Sequence, residues 1–325
     1  MKIGVLGAGA WGTALAKLLH DGGHAVTLFD VNLAQLEELR AGRNPRFLPG
    51  VALPRDWEVE ADWSRAVAGR EALVFAVPSL VFREVASRLD RHPAILVSVT
   101  KGIEYDTGLT MGRILREHAP HNPIAALSGP SFALEVARGI PTAIVCASED
   151  APTAQAVQML FHRPTFRVYR SADLLGVELS GALKNIIAIA AGVGDGLGFG
   201  DNSKAALITR AIAEIRRLGV ACGAQADTFA GLSGIGDLTL TCFSRQSRNR
   251  ALGERLGRGE SMATIQASGH KLSEGYPTAR SAYRLARTLH VSTPIIDEIH
   301  AVLYEGKRPA KALEDLTRRE PKAED

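Results

Sequence analysis

The sequence predicts a doubly wound α/β sheet followed by an all-α domain. Three observations predict it. Short apolar runs alternate with helical patterns through the first half. A glycine-rich turn joins the first run to the first helix. Beyond Ser171-Ala172-Asp173 the strand runs stop, and helical spacing continues towards the end. With 325 residues the chain suits two domains better than one. The boundary is placed near 180, giving a dinucleotide-binding domain over 1–180 and a helical substrate domain over 181–317. The charged stretch 318–325 is expected to be a disordered tail.

Composition narrows the function classes. Apolar residues make up 46% of the chain and charged residues 22%, ordinary for a soluble protein. A net charge of +3 implies neither a nucleic-acid partner nor a membrane surface. The three cysteines lie far apart, so neither a disulfide framework nor a metal site is expected, which fits the cytoplasm. Lys2, the apolar run after it and Ala14-Leu15-Ala16 imitate a secretory leader, but Gly4, Gly7, Gly9 and Gly12 interrupt the apolar core a leader needs. The longest apolar stretch, Leu174–Val193, holds charges and glycines that argue against membrane insertion.

Taken in order, Lys2–Leu6 reads as a buried strand. Gly7-Ala8-Gly9-Ala10-Trp11-Gly12 follows, a G-x-G-x-x-G, and Ala10 to His20 has helical spacing ended by Gly22-Gly23. Ala25–Phe29 is a second strand closed by Asp30. Gly7 permits the tight turn, Gly9 admits a pyrophosphate to the backbone, and Gly12 lets the helix lie close to the strand. A Rossmann-type unit is the result. Asp30 suits a ribose 2′-hydroxyl and repels a 2′-phosphate, and no basic residue follows until Arg40, so NAD(H) is favoured over NADP(H). The alternative reading of Asp30 is a cap for the helix beginning near Asn32.

Further strands are expected at Ala72–Val77, Ala94–Val99, Ile124–Leu127, Thr142–Cys146 and Phe166–Tyr169. Ligands of open α/β sheets bind beyond the carboxyl ends of strands. Lys101 stands at one such end and Ser128-Gly129-Pro130-Ser131 at another. Lys101, Ser131 and the amides near Gly129 could each hold an anionic or carbonyl oxygen.

The second half is organised around Lys184. The helix from Leu174 to Val193 is apolar on nearly every side, which reads as buried, yet Lys184 and Asn185 sit in its middle. An ammonium in low dielectric is costly unless it is paired or gives up its proton, and a lysine so placed can exchange protons near neutral pH. The alternative is a structural ion pair with Glu178. The glycine-rich stretch Gly192 to Asp201 reads as a connecting loop, and Asn202 to Leu218 as an amphipathic helix stopped by Gly219. Asp237 and Thr241, four apart on an expected helix, share a face. Arg248 and Asn249 supply donors that suit a phosphate oxyanion. Glu274-Gly275 is placed in a turn, with helices near Ala279–Thr288 and Ile295–Leu303.

Together GAGAWGTALA, SVTKG, LSGPSFALE, SGALKNIIAIAAGVGDGLGFGDNSKAALITR, GIGDLTLTC and QSRNR resemble the bacterial-type NAD(P)-dependent glycerol-3-phosphate dehydrogenases, over about Lys2 to Arg308. The resemblance implies reduction of dihydroxyacetone phosphate to sn-glycerol 3-phosphate, a phospholipid precursor. By the same resemblance Lys184 is the proton donor and acceptor, and Lys101 touches both nicotinamide and substrate. Gly129, Ser131, Asp237, Thr241, Ser247, Arg248 and Asn249 belong to the substrate pocket. Gly7, Gly9, Gly12 and Asp30 form the cofactor site expected from the glycine turn, beside Ala10, and the resemblance adds Trp11, Ala133, Leu272 and Glu274 to it, with Arg248 near it.

Two departures stand out. Ala10 replaces a frequent serine, and Phe29-Asp30-Val31 lacks the basic residue or histidine that many members carry there, which agrees with NAD(H) while leaving NADP(H) open through the family. In the implied mechanism Lys184 protonates the nascent alkoxide, Lys101 stabilises its charge and Asp237 orients Lys184. The competing readings are another two-domain reductase, of 2-hydroxyacids or ketopantoate, and a non-catalytic NADH-responsive protein. A homodimer is the expected assembly.

Overall fold

A computed structural model describes residues 1–89, 92–268, 273–320 and 323. The chain divides into two compact units, Met1–Lys101 with Leu109–Glu178, and Gly102–Gly108 with Leu179–Asp325. Pro321, Lys322, Glu324 and Asp325, within the expected tail, lie outside the described residues.

The first unit is built on eight strands: β1 (Lys2–Leu6), β2 (Ala25–Phe29), β3 (Glu58–Glu60), β4 (Ala72–Phe75), β5 (Ile95–Ser98), β6 (Ile124–Ser128), β7 (Thr142–Ala147) and β8 (Phe166–Ser171). They form one sheet in the order β3-β2-β1-β4-β5-β6-β7-β8. All neighbours are parallel except β6 and β7. Its helices are α1 (Ala10–Asp21), α2 (Leu33–Arg40), α3 (Trp63–Val67), α4 (Phe82–Ser87), α5 (Met111–His118), α6 (Ala133–Ala137) and α7 (Ala151–Phe161).

The strands read as unbroken apolar runs because both sheet faces are covered. Val74 and Val97 belong to one core cluster with Leu15, Leu19 and Phe161; Leu73, Phe75 and Leu96 belong to the other with Phe82 and Ile114. Alternate residues thus serve opposite faces, as a two-residue period requires. Burying a side chain such as Phe75 fully contributes roughly 2 kcal/mol. The short edge strand β3 is absent from the sequence reading, since Glu-Val-Glu offers almost no apolar signal.

The second unit contains most of α8 (Leu174–Gly196), then α9 (Asp201–Ala221), α10 (Asp237–Phe243), α11 (Arg248–Gly257), α12 (Met262–Ala267), α13 (Gly275–Thr288), α14 (Pro294–Tyr304) and α15 (Pro309–Thr317). Helix α8 is long and apolar enough to cross a membrane, but 94% of its most apolar window is buried in protein, as befits a core helix.

Three boundaries differ from the sequence expectation. Helix α8 continues through Gly192 and Gly194 to Gly196 rather than opening into a loop. A Cβ at Gly192 would lie 1.9 Å from Arg250 O, and one at Gly196 2.4 Å from Glu254 O, so close packing on α11 overrides poor helix propensity. Helix α9 passes through Gly219, where a Cβ would lie 2.0 Å from the Phe229 ring. Gly275 opens α13 instead of lying in a turn.

Candidate active site

In the first unit, Gly7 follows β1, beside the place where the strand order reverses between β1 and β4. Its φ of +108° and a virtual Cβ 2.7 Å from Ala76 O exclude any side chain. A Cβ at Gly12 would lie 1.9 Å from Gly7 O, so the turn and α1 pack backbone to backbone. Gly9 is different: nothing lies within 4 Å of its virtual Cβ. It occupies the N-cap of α1, and no side chain caps that helix. The turn therefore presents open amides at a helix N-terminus, an arrangement that fits a pyrophosphate. Ala10 begins α1 without a hydroxyl to add, and Trp11 and Ala133 both pack half-buried against the same core cluster.

Asp30 is tied into this turn. Its Oδ2 accepts from Ala8 N at 2.7 Å and its Oδ1 from Asn32 N at 3.0 Å. A carboxylate has about four acceptor sites, so capacity remains for a ribose hydroxyl. The cap of α2 is Asn32, which accepts from Gln35 N at 3.1 Å, so Asp30 is not the helix cap. The sequence reading missed the buried polar support underneath. Thr13 Oγ1 donates to Ala8 O at 3.1 Å, and Asn44 Nδ2 donates to Thr13 Oγ1 at 3.0 Å. No spacing in the sequence signals Asn44, which comes from a distant loop.

Lys101, Gly129 and Ser131 meet at one carbonyl. Lys101 Nζ donates to Gly129 O at 3.5 Å, and Ser131 Oγ donates to the same oxygen at 3.0 Å. Gly129 has φ +142°, and a Cβ there would lie 2.9 Å from Ile144 Cα on β7. Thr100 anchors the segment before Lys101 by donating to Val77 O at 2.7 Å.

In the second unit, Lys184 is 7% exposed, and its partner is Asp237, not Glu178. Lys184 Nζ donates to Asp237 Oδ1 at 2.5 Å and to Thr241 Oγ1 at 2.7 Å. Thr241 Oγ1 in turn donates to Asp237 O at 2.6 Å, across one turn of α10. A π-helical turn, Leu232–Gly236, leads directly into Asp237. Glu178 belongs to the first unit, where its Oε1 accepts from Gly112 N at 2.6 Å. Burial pushes the Glu178 carboxyl up to about 7.

Beside Lys184, a row of amides joins three helices. Asn249 Nδ2 donates to Asn185 Oδ1 at 2.9 Å, and Asn249 Oδ1 accepts from Gly275 N at 2.9 Å. Asn249 is thus partly committed to structure, and Asn185 enters the cluster although no role for it was expected. Its place next to a lysine in an apolar helix was the available signal. Ser247 caps α11 by accepting from Arg250 N at 3.2 Å. Arg248 opens the helix, exposed and with no hydrogen-bond or ionic partner among the described residues. A guanidinium at a helix N-terminus is suited to a phosphate. Glu274 occupies the N-cap position of α13, while Leu272 lies outside the described residues.

The nearby Cys242 is no nucleophile, because burial pushes its thiol up to about 12. What the second-unit cluster offers is an ammonium held by a carboxylate and a hydroxyl, together with a cationic helix end. It can deliver a proton and bind an anion.

Comparison with known proteins bears on the reaction class. The family model described as NAD-dependent glycerol-3-phosphate dehydrogenase N-terminus matches residues 2–154, and the corresponding C-terminus model matches 173–314. A glycerol-3-phosphate dehydrogenase of the NAD(P)+ type from Syntrophotalea carbinolica is 48% identical, covering 100% of this chain and 99% of that protein. The chain belongs to the NAD(P)-dependent glycerol-3-phosphate dehydrogenase family. Another family member, from Geobacter sulfurreducens, is 47% identical over 99% of this chain and 98% of its own length. The crystal structure of glycerol-3-phosphate dehydrogenase from Coxiella burnetii superposes with a TM-score of 0.93 at 36% identity, covering 98% of this chain and 99% of that one. A ketopantoate reductase from Ralstonia eutropha, with a TM-score of 0.61 at 18% identity, shares the fold alone. An NAD(P)-dependent oxidoreductase is the class this family membership establishes.

Proposed function

We propose that the chain reduces dihydroxyacetone phosphate to sn-glycerol 3-phosphate, with NADH preferred to NADPH. Residues 1–180 would hold the dinucleotide and residues 181–317 the substrate. The observation that carries this reading is the buried Lys184 ammonium, placed 2.5 Å from Asp237 Oδ1 and 2.7 Å from Thr241 Oγ1. When bound, the nicotinamide supplies a hydride to the ketone carbon. Lys184 then gives its proton to the carbonyl oxygen, which would otherwise become an alkoxide. Asp237 and Thr241 fix the direction in which that proton points, and Asp237 balances the charge. Arg248, Ser247 and Asn249 at the start of α11 receive the phosphate. Lys101 also serves the substrate oxygen, and Gly129 and Ser131 shape its surroundings.

Gly7, Gly9, Ala10, Trp11 and Gly12 receive the pyrophosphate side of the cofactor, with Ala133 and Glu274 as further contacts. Asp30 supports NADH, because a 2′-phosphate would approach a carboxylate already fixed in the turn by Ala8 N. The product is a phospholipid precursor, made in the cytoplasm by a homodimer. The test is spectrophotometric. Purified protein should consume NADH when dihydroxyacetone phosphate is added, and should not consume it with 2-oxoacids or ketopantoate. Turnover confined to the carboxylated ketones would refute the substrate assignment.

A further inference from the structure

Helices α8 and α11 touch through glycine. A Cβ at Gly253 would lie 2.0 Å from Ile189 O, and one at Gly257 2.4 Å from Val193 O. The reciprocal contacts at Gly192 and Gly196 are equally tight, so glycines four apart on each helix face each other's backbone. Such an interface sets the separation of the two helices. Their register along the axis is held by polar side chains, and one tie is the Asn249 Nδ2 to Asn185 Oδ1 hydrogen bond.

Asp195 supplies a second, charged tie. Its Oδ2 accepts from Arg250 Nε at 2.6 Å, and its Oδ1 accepts from Lys204 Nζ at 2.7 Å. The side chains of Asp195, Arg250 and Lys204 are 13%, 14% and 11% exposed, so the bridge is little screened by solvent. Arg250 lies in the first turn of α11, two residues after Arg248, and its amide is the one Ser247 caps. Asp195 lies eleven residues beyond Lys184 on α8, about 16 Å along the axis, so it does not itself join the Lys184 cluster.

We propose that Asp195 is a positioning residue for the phosphate end of the substrate: through Arg250 it fixes where α11 presents Arg248 and Asn249 relative to Lys184 and Asn185 on α8. This rests on the substrate reading given above. Removing the carboxylate would leave Lys204 without this partner and Arg250 with only Glu254, 3.7 Å away on its own helix, so the tie from α11 to α8 would be lost and the first turn of α11 would shift.

The test separates positioning from general stability. For Asp195→Asn, kcat/KM is measured on dihydroxyacetone phosphate and on dihydroxyacetone, which lacks the phosphate, and NADH affinity is measured by fluorescence. Activity on the phosphorylated ketone should fall about tenfold or more, chiefly through KM, because a charged contact is weakened. Activity on dihydroxyacetone and NADH affinity should stay within about threefold of the parent. The preference for the phosphorylated substrate therefore shrinks. Equal losses on both ketones, or no loss on either, would overturn the proposal. Arg250→Lys, which keeps the charge but loses the Nε geometry, should shift the same ratio in the same direction and serves if Asp195→Asn does not fold. A parent protein inactive on dihydroxyacetone phosphate would instead refute the substrate reading.

Discussion

Asp237 holds the Lys184 ammonium from 53 residues further along the chain, at 2.5 Å, with both side chains almost wholly buried. A buried pair of this kind contributes little net stability, yet breaking it by removing one partner is costly. It is therefore a poor device for stability alone and a good one for holding a proton in place.

Lys184→Met should retain NADH binding and lose turnover by roughly 10²-fold or more, the scale of a lost general acid. Asp237→Asn should also lose turnover, and should destabilise the fold by roughly 3–5 kcal/mol, since it leaves a buried ammonium without its counter-charge. Steady-state kinetics with urea unfolding of both variants check this. Turnover of Lys184→Met within tenfold of the parent would remove Lys184 from its role.

The glycine turn makes a contrasting pair of substitutions. A methyl group at Gly12 would collide with Gly7 O, whereas one at Gly9 would meet open space. Gly12→Ala should unfold at a markedly lower temperature. Gly9→Ala should unfold within about 2 °C of the parent yet bind NADH at least about tenfold more weakly, because its methyl occupies the approach of the pyrophosphate. Calorimetry and fluorescence titration separate the two effects, and unchanged NADH affinity in Gly9→Ala would refute a phosphate at this turn.

Asp30 has two tasks, so its removal should have two signatures. Asp30→Ala frees Ala8 N and loosens the turn, lowering kcat/KM with NADH. It also removes the charge facing a 2′-phosphate, raising kcat/KM with NADPH. The ratio of NADH to NADPH efficiency should fall about tenfold or more, a change typical of one charged contact. A parent that already prefers NADPH would overturn the cofactor preference while leaving the reaction intact.

What the sequence revealed follows from how local each signal is. Strands β1, β4 and β5 were visible because burial on both faces makes them continuous apolar runs. Lys184 was visible because a charge in an apolar helix contradicts its surroundings. Its partner was not, and helix geometry explains why Glu178 fails. Residues six apart are separated by about 240° around a helix, so they do not share a face. The contact that wins comes from a distant segment, which no local pattern encodes. The same holds for Gly192 to Gly196: propensity argues for a loop, and only the touching backbone of α11 shows why a helix forms there. Ser247 as the cap of α11 is legible in principle from its type and place before Arg248-Asn249, but the sequence reading takes that pair as phosphate donors and assigns no helix start there.

Glu178 yields a prediction about pH. Its carboxyl is pushed from 4.5 up to about 7, by burial first, with the Thr110 hydroxyl and then the hydrogen bond from Gly112 N opposing. A carboxyl raised in the fold binds its proton more tightly there than in the unfolded chain. Between pH 4.5 and about 7 the folded state therefore holds more protons, and stability declines as pH rises through that window. Above it the loss is complete, at about 3 kcal/mol. Glu214 on α9, raised to about 7 by burial while accepting from Ile295 N and Ile296 N, adds a slope of the same sign to the parent. Glu178→Gln keeps an acceptor for Gly112 N but cannot ionise, so its difference from the parent isolates Glu178. The variant should match the parent near pH 5 and exceed it in stability near pH 8, read from urea midpoints at the two values. A constant difference across that range would show that Glu178 is ionised throughout and that Thr110, Gly112 and Arg113 together offset its burial.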